Sequence, residues 1–239
     1  MPSINPLDPT NYLSLLPDGS PRWHDGSGTI TYSFLTTYPD YYSSGPGTYV
    51  IDGMPFPSET SPALTTAQRT LASLAVQRYN EVANVNMTLV TSGLGDITFG
   101  AQDFGDPGLF GFAYFPSGAG ESGDIWLNNG NELVLTPTAF DEGWDTMIHE
   151  LGHALGLDHP FEGTLLPVQL DNSRYTVMSY DPVPEQSPLA DPAQQWPMTP
   201  MLYDIQAMQV LYGANMTTRT GNDTYFINSG VSGFGIANN

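Results

Sequence analysis

The sequence predicts a single α+β domain, and three observations point to it. Short runs of alternating, β-branched and aromatic residues recur between turns rich in Gly, Asp and Pro. Three longer stretches place apolar residues at helical spacing. The chain has 239 residues, 40% of them apolar, enough to bury one sizeable core.

Taken in order, residues 1–28 are rich in Pro, Gly, Ser and Asp and predict an irregular lead-in. "TITYSFLT" (29–36) alternates apolar and polar residues and predicts a strand. Residues 37–62 carry Pro, Gly, Ser and Tyr and predict a long surface loop. "LTTAQRTLASLAVQRYNEVANV" (64–85) sets Leu71, Leu74, Ala75 and Val82 at helical spacing, and Thr65 with Gln68 forms a capping-box pattern at its start. "VNMTLV" (85–90), "DITFGA" (96–101), "GFAYFP" (111–116) and "GDIWLN" (123–128) predict short strands. "DEGWDTMIHELGHALGL" (141–157) predicts an amphipathic helix with Trp144, Met147, Ile148, Leu151 and Leu155 on one side. A stretch without long periodicity (160–198) precedes a third helix. That helix is expected to take Thr199 as N-cap and Pro200 as its first residue, to run through Ile205, Met208 and Leu211, and to stop at Gly213. The domain is thus expected to span 1–213. Residues 214–239 read as a polar Gly/Asn/Thr-rich tail or the start of a truncated C-terminal module.

Composition narrows the partners. Twenty-five acidic residues face five arginines and no lysine, a formal charge of −20. Nucleic acids and anionic membranes recruit clustered basic residues, so neither is expected as a partner, and a monomer is expected in solution. With no cysteine, thiolate metal sites and disulfide scaffolds are excluded. No apolar run approaches the length of a membrane span, and the first twenty residues show no signal-peptide pattern.

Three of the four histidines fall within "HELGHALGLDHP" (149–160). On a helix, His149 and His153 are separated by four residues and project from one face, where their nitrogens can share one Zn2+. Glu150 lies about 100° further round. There it can reach a metal-bound water and act as general base, then acid. His159 lies beyond a straight helix's reach, but Gly156 can take positive φ and turn the chain back. Three neutral nitrogens with an open fourth position describe a catalytic zinc site. His24, in "RWHDGSG", has no such partner and reads as ordinary.

His-Glu-x-x-His-x-x-Gly-x-x-His resembles the motif of the metzincin zinc endopeptidases, and Pro160 after the third histidine resembles their serralysin branch. "RYTVMSYD" (174–181) is similar to the Met-turn of that family. The resemblance implies Met178 as the methionine beneath the metal, and Tyr180 as an oxyanion-stabilising residue and possible additional zinc ligand. It implies a twisted five-stranded, mostly parallel sheet with an antiparallel edge strand, an active-site helix and an irregular lower part. In that fold "GFAYFP" is the edge strand, so Phe112, Ala113 and Tyr114 are expected to pair with extended substrate. The expected activity is zinc-dependent endopeptidase cleavage of protein or peptide substrates outside the cell. The alternatives are a zinc-stabilised extracellular binding or adhesion protein and a hydrolase of small amides. Serralysins usually continue into a calcium-binding β-roll. "GNDTY" (221–225) is a single fragment of its Gly-x-Asp repeat, so Ca2+ binding is not supported by a repeat array here.

Overall fold

A computed structural model of the chain describes residues 5–138, 141–183, 196–221, 224–227 and 234–237. The lead-in makes one 3-10 turn at Asn11–Leu15 before β1 (Thr31–Phe34). A meander of β2 (Ser43–Gly45), β3 (Thr48–Ile51) and β4 (Met54–Pro57) precedes helix α1 (Thr66–Val82). Then come β5 (Thr88–Leu89), β6 (Ile97–Gln102), β7 (Gly111–Ala113) and β8 (Asp124–Asn128). Helices α2 (Glu132–Leu135), α3 (Glu142–Ala154) and α4 (Leu202–Tyr212) follow, with strands β9 (Thr224–Ile227) and β10 (Phe234–Ala237) last.

The main sheet runs β5-β1-β6-β8-β7. Its first four strands are parallel and β7 is antiparallel to β8, so the α+β class and the antiparallel edge strand match expectation. Parallel strands need cover on both faces, and every residue of β6 and β8 is buried. On one face Phe99, Ile125 and Leu127 share a core with Met147, Ile148 and Leu151 of α3. On the other, Trp126 packs with Leu35, Tyr38, Tyr42, Ile51 and Phe56. Gly100 makes room for that indole, since a Cβ there would lie 2.7 Å from the ring.

The second face corrects one expectation. Residues 37–62 are not a plain surface loop but carry the β2-β3-β4 sheet that roofs Trp126. Asp52 (φ 47°) and Gly53 (φ 77°) turn the hairpin between paired Ile51 and Met54. Asp-Gly is the favoured two-residue hairpin turn, so the signal was present in the sequence and was outweighed by the surrounding Pro and Ser.

Helix α1 begins as expected: Thr65 N–H donates to Gln68 Oε1 (2.8 Å) and Gln68 N–H donates to Thr65 Oγ1 (3.2 Å). The third helix does not. It starts at Leu202, not at Thr199 and Pro200, because Asp204 accepts the Met201 N–H at 2.7 Å and fixes Met201 as N-cap. Within 214–239, β9 and β10 pair antiparallel. Asn222 and Asp223 of the Gly-x-Asp fragment lie outside the described residues. Between the end of α3 and α4 the described chain holds no helix or strand, the irregular lower part. No helix among the described residues is long and apolar enough to cross a membrane.

Asp124 ties the roof to the sheet. Its buried carboxylate accepts from Thr98 Oγ1 (2.6 Å), Tyr41 OH (2.7 Å) and Tyr42 OH (2.9 Å). Burial outweighs these donors and pushes its pKa from 3.8 up to about 6. A folded value above the unfolded one gives stability that is full below about pH 4 and lost as pH rises through about 6. The stability difference between wild type and Asp124→Asn, from urea melts, is expected to shrink by about 3 kcal/mol between pH 4 and pH 7.

Candidate metal centre and cleft

Asp141 caps α3 by accepting the Trp144 N–H at 2.9 Å, and the helix then carries His149 and His153 on one side. Their Nε2 atoms are 3.1 Å apart. The helix stops in a Schellman motif: Leu157 N–H donates to Gly152 O and Gly156 N–H to His153 O, both at 2.9 Å. Gly156 sits at φ 106°, and a Cβ there would collide with the Pro21 carbonyl oxygen. Only glycine satisfies both demands.

The lead-in builds this turn rather than trailing from it. Trp23 Nε1–H donates to Ala154 O (2.9 Å) and Asp158 N–H donates to Leu15 O (2.9 Å). From α4, Tyr212 OH donates to Leu155 O at 2.8 Å. These bonds return the chain so that His159 Nε2 lies 3.0 Å from that of His153 and 3.3 Å from that of His149.

The other ring nitrogens face acceptors. His149 Nδ1 is 2.8 Å from Val177 O, and His153 Nδ1 is 2.7 Å from Leu157 O. His159 Nδ1 is 3.3 Å from Glu162 Oε1. A carbonyl or carboxylate oxygen only accepts, so each Nδ1 carries the proton and each Nε2 offers a lone pair. Burial holds His149 neutral, pushing its pKa down to about 4, and lowers that of His153 as well. Three lone pairs at this separation repel unless a cation stands between them. Tetrahedral zinc at 2.0–2.1 Å sets nitrogens about 3.3 Å apart, so the donor set fits that ion.

Glu150 is 6% exposed, and its Oε2 has no hydrogen-bond partner among the described residues. Burial pushes its pKa up to about 8. Tyr180 is 62% exposed, and its OH lies 2.9 Å from His159 Nε2. Met178 is fully buried. A Cβ on Gly152 would come within 2.7 Å of the Met178 sulfur and 2.9 Å of the Tyr79 hydroxyl, so this glycine admits both beneath α3.

The turn carrying Val177, Met178 and Tyr180 hangs from one buried carboxylate. Asp204 accepts from Thr176 Oγ1 (2.6 Å) and Val177 N–H (2.9 Å), besides capping α4. Burial raises its pKa to about 6 against these three donors.

Above the histidines runs the free edge of β7. Phe110 O accepts from Asn128 N–H, and Tyr114 N–H donates to Asp124 O, so alternate residues turn their backbone groups toward β8. Gly111 and Ala113 therefore direct theirs outward. The Phe112 and Tyr114 side chains pack on the roof side with Phe104 and Trp126. Gly111 allows β7 to close on α3, because a Cβ there would lie 3.3 Å from Glu150 Cγ. A pocket of about 220 Å3 surrounds the three histidines. A neighbouring pocket of about 300 Å3 extends along α3 between Leu109, Phe110, Asp145 and Trp196.

Sequence reasoning named the three histidines, Glu150, Met178 and Tyr180, which the fold brings to one place. It missed Asp204, whose signal was an acid at the third position of a helix, and Asp145, one turn before His149. Trp196 and Trp23 left no local signal.

No protein-family model matches the chain. Curated relatives do. Serralysin from Photorhabdus sp. (strain Az29) is 34% identical over 237 residues, covering 88% of this chain and 45% of the relative. Metallopeptidase AprA from Pseudomonas marginalis is 36% identical over 233 residues, covering 90% and 47%. Serralysin A from Dickeya chrysanthemi is 38% identical over 173 residues, covering 68% and 36%. The chain thus spans about half the length, or less, of the relatives it matches.

Because Asp204 positions the turn whose Val177 carbonyl orients His149, Asp204→Asn is expected to weaken zinc binding about 10- to 100-fold. Competition with a chromophoric chelator measures this.

Proposed function

The chain belongs to the serralysin-type metalloproteases, and from that premise we propose that it is a zinc-dependent endopeptidase acting on extended protein or peptide chains. One observation carries the reading: three Nε2 lone pairs within 3.3 Å of one another, beside a buried carboxylate with an unpartnered oxygen. A structural metal site would have no use for Glu150, which speaks against a zinc-stabilised binding protein.

His149, His153 and His159 would hold the ion. Bound Zn2+ supplies Lewis acidity to the scissile carbonyl and lowers the pKa of the attacking water. Substrate adds as a strand to β7, bonding to the outward N–H and C=O groups of Gly111 and Ala113. This places the scissile carbonyl over the histidines and reads backbone rather than side chains. Glu150 removes the water's proton and returns it to the leaving amine. The Tyr180 hydroxyl, 2.9 Å from His159 Nε2, turns to donate to the developing oxyanion. Phe112 and Tyr114 hold the strand from behind, and Met178 supports the histidine rings.

We take residues 1–213 as the catalytic unit and 214–239 as a polar tail or the start of a C-terminal module. The enzyme works outside the cell as a monomer.

Casein hydrolysis by the zinc-loaded protein is expected to stop with a chelator and to recover with Zn2+. Glu150→Gln should lower kcat about a thousand-fold while the protein still binds zinc. Full activity in that variant would sink the mechanism. Tyr180→Phe is expected to lower kcat about 100-fold with KM little changed, since the hydroxyl acts on charge present only in the transition state.

A further inference from the structure

The rim of the metal centre carries an aromatic side chain that the core does not require. Phe161 is 39% exposed and joins neither hydrophobic cluster. Yet its ring lies parallel on that of His159, with centroids 4.8 Å apart and planes 8° apart. The backbone around it is tied: Glu162 N–H donates to His159 O (3.2 Å) and Leu166 N–H to Pro160 O (2.8 Å). Phe161 and Glu162 thus grip the same imidazole, the first at its face and the second at Nδ1. A single exposed apolar residue needs no explanation, but this one is held against two other rings.

The second of those rings is Tyr180. The centroids of His159, Phe161 and Tyr180 stand 4.8, 4.8 and 5.0 Å apart, a nearly equilateral triangle. Among the described residues the Tyr180 ring meets three others, those of His149, His159 and Phe161. Two of these belong to the histidine centre itself, which leaves Phe161 as the neighbour able to act as a stop. Tyr180 needs one. It is 62% exposed and outside both hydrophobic clusters, so core packing does not restrain its ring. An unrestrained tyrosine spreads over three staggered χ1 wells. The well seen here sets the hydroxyl 2.9 Å from His159 Nε2, and contact with Phe161 favours that well by the worth of an aromatic pair.

We propose that Phe161 is a positioning residue for Tyr180: its ring holds the exposed phenol at the histidine centre, so that the hydroxyl is in place when charge develops. The effect on rate rests on the reading of Tyr180 as an oxyanion donor, while the contact itself is independent of that reading. Phe161 meets neither substrate nor reacting atoms and acts only through Tyr180. Without it the productive well holds a smaller share of the molecules, and kcat falls with that share. KM moves little, because the hydroxyl serves the transition state and not the bound ground state.

The test is a double-mutant cycle on the zinc-loaded full chain. Phe161→Leu is expected to lower kcat on a quenched fluorescent peptide about 3- to 10-fold, the worth of one aromatic pair. Phe161→Tyr, which keeps the ring, should restore wild-type kcat. In a Tyr180→Phe background the same Phe161→Leu change should cost less than about two-fold, since no hydroxyl remains to be positioned. Zinc affinity of Phe161→Leu, from competition with a chromophoric chelator, should stay within about three-fold of wild type, because Glu162 still holds His159. An equal kcat loss in both backgrounds, or a loss of zinc affinity that matches the loss of rate, would overturn the proposal. A second arm reads the ring without turnover: a fluorotyrosine placed at position 180 alone gives one fluorine NMR resonance. Phe161→Leu should move that resonance toward the position and width of the free amino acid, and a resonance left unmoved refutes the contact. Full activity in Tyr180→Phe together with a moved resonance would keep Phe161 as the stop and sink the oxyanion role of Tyr180.

Discussion

Three neutral imidazole nitrogens aimed at one point are the constraint on which the rest of the structure depends. Lone pairs 3.0–3.3 Å apart do not hold themselves together; each ring must be pinned from behind. The pins come from three separate places: the carbonyl of Val177, the carbonyl of Leu157 and the carboxylate of Glu162. Much of the lower part of the molecule serves to set those acceptors. Asp204 suspends the Val177 turn from α4, and Leu15, Pro21 and Trp23 of the lead-in brace the turn that delivers His159. Segments without regular structure are therefore as much a part of the centre as the helix that carries its ligands.

The same economy governs the upper half. A parallel sheet needs cover on both faces, and this one has α1 and α3 below and the β2-β3-β4 roof above. Gly100 and Gly111 set how closely those layers approach: the first admits the Trp126 ring, the second lets the edge strand settle onto α3 beside Glu150. The outcome is a cleft with a free strand edge on one wall and the charged face of α3 as its floor. The buried carboxylates Asp124, Asp204, Asp145 and Glu150 divide by their partners. Asp124 and Asp204 have three donors each and fasten loops, whereas Asp145 and Glu150 each keep a buried oxygen without a partner among the described residues.

Where sequence reasoning was sound, it rested on local physics. The capping box of Thr65 and Gln68, the amphipathic pattern of α3 and the positive φ of Gly156 depend on residues within a few positions of one another. It failed where a distant partner decided. Thr199 and Pro200 form a good N-terminal signal, yet α4 begins at Leu202 because Asp204 is simultaneously engaged with Thr176 and Val177. Residues 37–62 read as loop because their strands are short and Pro-rich, and the Trp126 surface that orders them lies seventy positions further on.

The sequence by itself therefore determined the candidate ligand set, the acidic residue beside it, the helix that presents them and the glycine that ends it, since these are matters of spacing along a helix and of the φ angles open to one residue. The order of strands, the roof over Trp126 and the suspension of the Val177 turn from Asp204 were decided only in three dimensions. The physical reason is that a buried carboxylate or an unpaired strand edge acquires its meaning from whatever packs against it, and no spacing in the chain records that partner.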